Sequence, residues 1–100
     1  MAVPDMSASV LPAEHLGGPG AADPSRCSQH AMAALGETVG PGLRLTSLSL
    51  DVASHALGQA PVDVLVRADK RSRSIVFASV EARSEGRLVY SAQGLFSRGD

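Results

Sequence analysis

Asp23, Cys27 and His30 stand four and three residues apart, a spacing that puts all three on one face of a helix. A thiol near a helix N-terminus loses its proton more readily, and a neighbouring imidazole can accept it, so the trio could form a nucleophile. The same residues have plainer uses. Asp23 before Pro24 is an N-cap carboxylate followed by proline at the first helical position, and a lone Cys in an Ala-rich helix serves as a small apolar filler. Gln29 and Glu37 complete the polar set; Glu37 falls near the helix end, where a carboxylate meets the unfavourable end of the dipole and is expected to be solvated. Further along, Arg67, Lys70, Arg71 and Arg73 gather at or beside one hairpin tip. Guanidinium forks suit phosphate oxygens, although basic residues around Asp69 also discourage edge-to-edge pairing.

Two other chemistries lack their spacing. His15, His30 and His55 are too scattered for a metal signature. Gly17-Gly18-Pro19-Gly20 has neither the Lys-Ser/Thr nor the preceding strand of a phosphate loop and reads as a flexible connector.

The elements that must position these groups are legible from periodicity. Val62, Val64, Val66 and Ala68 alternate with polar residues, as do Val76, Ala78, Val80 and Ala82, and then Leu88, Tyr90, Ala92, Gly94 and Phe96. Period-two alternation predicts three strands in an antiparallel meander from Pro61 to Ser97, turning at Asp69–Ser72 and at Ser84–Arg87. Ile75, Phe77, Val89 and Leu95 fall on the sheet's second face. Cys27, Ala31, Ala34 and Leu35 recur at three and four, predicting a helix from Pro24 to about Glu37 that Gly40-Pro41-Gly42 ends. Leu43 to Val52 reads as a further strand, but Leu43 and Leu45 have the opposite parity to Leu48, Leu50 and Val52. Either a bulge sits near Thr46-Ser47, or the two ends are covered on different faces. Ala53 to Ala60 is a polar connection. Upstream, Val10 to Leu16 is a short strand that Pro12 confines to an edge, within an N-terminal segment 1–22; residues 23–100 form one domain.

Composition narrows the function classes. One hundred residues, 44% of them apolar, suit one small folded domain rather than a disordered chain. A net charge of -1 removes the global electrostatic case for nucleic acid. Three aromatics make a modest core that a second subunit would complete. The single cysteine has no internal disulfide partner, no basic-then-apolar leader opens the chain, and no window is apolar enough to span a membrane. A cytoplasmic domain is the expectation.

The element order, with one central helix and a sheet closing in a long meander, resembles the hot-dog fold. Gln29-His30-Ala31-Met32-Ala33-Ala34-Leu35, then Val39, Pro41 and Gly42 before Leu43-Arg44-Leu45-Thr46-Ser47-Leu48, is similar to the helix-to-strand passage of acyl-CoA thioesterases. Arg71-Ser72-Arg73-Ser74 and Ala82-Arg83-Ser84-Glu85-Gly86-Arg87-Leu88-Val89-Tyr90-Ser91-Ala92, with Phe96, resemble their final hairpins, most closely those in the amino-terminal half of double hot-dog thioesterases. The resemblance covers about Ser25 to Ser97. It implies an α+β domain whose antiparallel sheet wraps one helix, and a homodimer or larger homo-oligomer.

It also implies a chemistry: hydrolysis of an acyl thioester, on coenzyme A or an acyl carrier, by attack of water. Asp23, Gln29 and His30 then supply the catalytic groups, Ser28 helps at the carbonyl, and Arg67, Arg71 and Arg73 hold the coenzyme A phosphates. No separate cofactor is expected. The chain departs from the family in three places. Arg26-Cys27-Ser28 occupies the region of the usual Gly-Gly pair, whose amides polarise the thioester carbonyl. Ala21 stands where one thioesterase branch has its catalytic Asp, two residues before an Asp-Pro pair. Ala21 and Arg26 fill the places of the hydratase Asp and His, so hydration is not expected. The alternative is a non-catalytic acyl-binding or assembly module that kept the scaffold.

Overall fold

The structure, a computed structural model, describes residues 6–54 and 56–98; residues 1–5, His55 and the last two residues lie outside that description. In chain order it contains β1 (Met6–Leu11), a 3-10 turn (Ala13–Leu16), β2 (Gly20–Ala21), α1 (Pro24–Val39), β3 (Leu43–Val52), β4 (Ala56–Leu57), β5 (Val62–Arg71), β6 (Ile75–Ser84) and β7 (Arg87–Arg98). Five strands form one antiparallel sheet in the order β1-β5-β6-β7-β3, and β2 pairs with β4 in a separate ribbon. This is the α+β arrangement of one helix lying across one sheet.

Helix α1 buries Cys27, Ala31, Leu35 and Val39, one residue every four, against the sheet. From below come Val62, Val64 and Val66 of β5, Val76, Ala78, Val80 and Ala82 of β6, and Tyr90, Ala92 and Phe96 of β7. Burying a side chain the size of Leu35 contributes about 1.5–3 kcal/mol, so the small residues at Cys27 and Ala31 matter chiefly for letting the layers come close. Leu16, Ala13 and Ala22 join the same core, so the segment before the helix packs with the rest.

The bulge in β3 is present. Pairing with β7 shifts register between Leu45 and Ser47, and Leu43, Leu45, Leu48, Leu50 and Val52 all become partly buried on one side. One extra residue restores a single apolar face to a strand whose parity changes midway.

Several elements differ from the sequence-based expectation. The first strand runs from Met6 to Leu11, earlier than Val10–Leu16; Pro12 has no N–H to pair and ends it, and the next residues coil into the 3-10 turn. Helix α1 continues to Val39, where Gly40 adopts φ 91° and its N–H bonds Gly36 O at 3.1 Å. Gly17–Gly20 is pinned rather than free: Gly17 and Gly18 bond Glu14 O and Ala13 O, and Gly20 begins β2. The Ala53–Ala60 connection contains β4. Strand β5 carries a bulge between Ala68 and Lys70 and pairs as far as Arg71, leaving a tight turn that Ser72 closes by bonding Ile75. A further register shift opposite Ala82 and Arg83 buries Val89 alongside Tyr90, whereas Leu88 is only half-buried. Val89 therefore leaves the outer face to which simple alternation assigned it.

Candidate active site

Asp23 ends the loop that leads into α1. Its Oδ1 accepts the Ser25 N–H at 3.2 Å, the N-cap geometry, and its Oδ2 lies 3.6 Å from Arg26 Nε. From this start the helix projects Gln29 and His30 toward an open cleft of ≈ 570 Å³, lined by His15, Asp23, Ser25, Arg26, Gln29 and His30. All three residues expected to be catalytic thus border one cleft.

Donors for a developing oxyanion are scarce here. Gly17 and Gly18, distant in sequence from the helix start, fold back beside it: a Cβ on Gly17 would lie 2.9 Å from Asp23 N. Yet their amides already serve Glu14 O and Ala13 O at 3.2 and 3.0 Å, so neither is spare. Ser28 is similarly engaged, its hydroxyl donating to Ser25 O at 3.2 Å. The side chains of Gln29, exposed, and His30, half-buried, remain on the cleft wall.

Beneath that wall His30 Nδ1 lies 2.6 Å from Tyr90 Oη, and the rings meet edge to face at 5.9 Å and 83°. Tyr90 is fully buried, and burial, followed by nearby Cys27, drives its phenol well above the usual range. Burial also pulls His30 below its ordinary value, with His15 acting in the same direction and Glu37 opposing. The imidazole is therefore neutral at pH 7. Cys27 is sealed in the core, and burial, then Asp23, raises its thiol pKa. A protonated thiol with no opening to the cleft is a packing group, not a nucleophile.

The basic hairpin lies elsewhere. Arg71 Nη1 and Nη2 reach the carbonyls of Val39 and Thr38, both at 3.5 Å, at the C-terminal end of α1. Arg67 pairs with Asp69 at 3.8 Å, and Arg73, in the turn, accepts a bond from Arg98 on its carbonyl. A helix of 16 residues is about 24 Å long, so within one chain Arg71, at its C-terminal end, stands about a helix length from Asp23 at its start. Residues absent from the sequence-based site are Tyr90, His15 and Arg26. Tyr90 had a signal: the chain's one phenol falls on an inward strand face, where its O–H must find a partner.

No family model matches the sequence, and no curated protein matches it. Solved structures do. A mutant of the phenylacetic acid degradation protein PaaI from Thermus thermophilus aligns over 99% of this chain and 90% of its own, at 28% identity and a TM-score of 0.75. Zebrafish thioesterase superfamily member 2 aligns over 99% and 78%, at 14% identity and a TM-score of 0.80. The chain has the hot-dog fold. Escherichia coli PaaI shares that hot-dog fold at only 11% identity, with a TM-score of 0.79 over 97% of this chain and 75% of its own. Among the hot-dog chain's described residues, no helix is long and apolar enough to cross a membrane.

Proposed function

We propose that this protein is a thioesterase that hydrolyses an acyl thioester of coenzyme A or an acyl carrier by direct attack of water. The observation that carries the reading is the meeting of Asp23, Gln29 and His30 on one cleft at the positive end of α1. The water oxygen attacks the thioester carbonyl carbon while the Asp23 carboxylate accepts the water's proton, and the carbonyl π pair moves to oxygen. Collapse of that oxyanion breaks the C–S bond, and the departing sulfur takes the proton from Asp23. Gln29 orients the water, and His30, with Ser28 behind it, lies beside the carbonyl. The active unit is a homodimer or larger assembly. Arg71, held at the far end of its own helix from Asp23, reaches the coenzyme A phosphates of this cleft from a second copy, and Arg67 and Arg73 join it in anchoring them.

An acyl-CoA panel assayed for free thiol tests this. Asp23→Asn keeps an N-cap acceptor and loses the base, so it should fold normally and lose turnover; Asp23→Ala should lose both turnover and about 1 kcal/mol of stability. The second reading, an acyl-binding module, is favoured by the engaged amides of Gly17 and Gly18. Saturable acyl-CoA binding without any thiol release would establish it in place of hydrolysis.

A further inference from the structure

We infer that Tyr90 sets the tautomer of His30: the phenol O–H donates to Nδ1, the ring proton resides on Nε2, and His30 offers the cleft an N–H donor instead of a lone pair. The argument is an accounting of protons. Tyr90 Oη is fully buried, and its one hydrogen-bond partner among the described residues is His30 Nδ1, at 2.6 Å. A neutral imidazole carries a single N–H. If that proton sat on Nδ1 and pointed at Oη, the tyrosine hydroxyl would have no acceptor, and an unmade bond by a buried donor costs about 1–3 kcal/mol. The opposite arrangement satisfies the phenol completely. No buried side-chain nitrogen or oxygen among the described residues lacks a partner, so Nε2, which makes no hydrogen bond among those residues, is open to the cleft.

This rests on the thioesterase reading for its chemical consequence. With Gly17, Gly18 and Ser28 already engaged, the Nε2–H of His30 is the donor placed to stabilise the oxyanion. It does not receive the water's proton, which goes to Asp23. Tyr90 touches no substrate; it is a positioning residue acting through His30. A rigid phenol clamped beneath an imidazole gives the ring both its tautomer and its orientation, since the edge-to-face contact at 83° holds the plane.

The tautomer is directly readable. Protein labelled with 15N at histidine, at about pH 8 where imidazoles are neutral, should show His30 with a pyridine-type Nδ1 and a pyrrole-type Nε2; His30→Gln identifies the signal. Tyr90→Phe should move both nitrogens toward averaged shifts as the tautomers mix. A pyrrole-type Nδ1 in the wild type overturns the inference, whether or not the variant folds, as does a folded Tyr90→Phe with the wild-type pattern. In the thiol-release assay Tyr90→Phe should lower kcat about tenfold or more while KM stays within about twofold. The two readings fail separately. A pyrrole-type Nε2 in a protein without turnover supports the tautomer and removes the hydrolase, whereas turnover with a pyrrole-type Nδ1 keeps the hydrolase and removes the tautomer.

Discussion

A Cβ built on Gly94 of β7 would lie 3.1 Å from Leu35 Cδ1 of the helix. Helix and sheet lie close together there, and the same Cβ would meet Phe96 Cε1 at 3.1 Å and Leu45 Cδ1 at 3.2 Å. Three neighbours from three elements cannot all withdraw. Gly94→Val should therefore destabilise by about 2–3 kcal/mol through overpacking. Gly94→Ala should cost less, because one methyl needs smaller shifts and removes the entropic cost of glycine in a strand. Chemical denaturation of both variants checks the order; a Val variant as stable as the wild type would refute the close contact.

The turn between β6 and β7 places Glu85 at φ 52° and Gly86 at φ 78°, the pattern of a two-residue type I′ hairpin. Glutamate is poorly suited to a positive φ, whereas Asn-Gly is the preferred pair. Glu85→Asn should raise stability by about 0.5–1 kcal/mol, visible as a higher denaturation midpoint with unchanged slope.

His30 is held below its ordinary value of 6.5, by burial first and His15 second, against the pull of Glu37. Between the two values the unfolded chain binds more protons at this site than the folded one. The resulting stability is fully present above about pH 6.5 and is lost as the pH falls below it. Urea unfolding at about pH 7.5 and about pH 5.5 should show a smaller acid-side loss in His30→Gln than in the wild type. Equal losses would mean that His30 does not contribute to the acid sensitivity.

Ile75 and Phe77 point outward from β6 with 39% and 47% of their surface exposed, and Met6 and Val10 of the edge strand β1 with 56% and 64%. An outer face this apolar on a 10.3 kDa chain is expected to be covered by another copy. Sedimentation velocity at about micromolar concentration should give a species of at least twice the chain mass; a single boundary at the mass of one chain would count decisively against the assembly.

Much of the architecture was written locally. Alternation at Val62–Ala68 and Val76–Ala82 specified strands, Asp23-Pro24 specified where the helix begins, and the parity change between Leu45 and Leu48 narrowed β3 to a bulge or a change of covered face, of which the bulge formed. These follow from neighbours in sequence, because backbone period and capping are properties of a few consecutive residues. Tertiary structure alone decided the rest. Met6–Leu11 has little alternation of its own and is a strand because β5 offers it an edge. Val89 turned inward because a bulge formed against β6, and Arg71 went to the helix C-terminus because the hairpin passes there. The candidate site divides the same way. Asp23, Gln29 and His30 were legible as neighbours on one helix, but Tyr90 is 60 residues from His30 in sequence, and only the packing of β7 beneath α1 brings its hydroxyl to Nδ1. Periodicity says which face a side chain takes; which atom waits on the other side depends on how the elements pack.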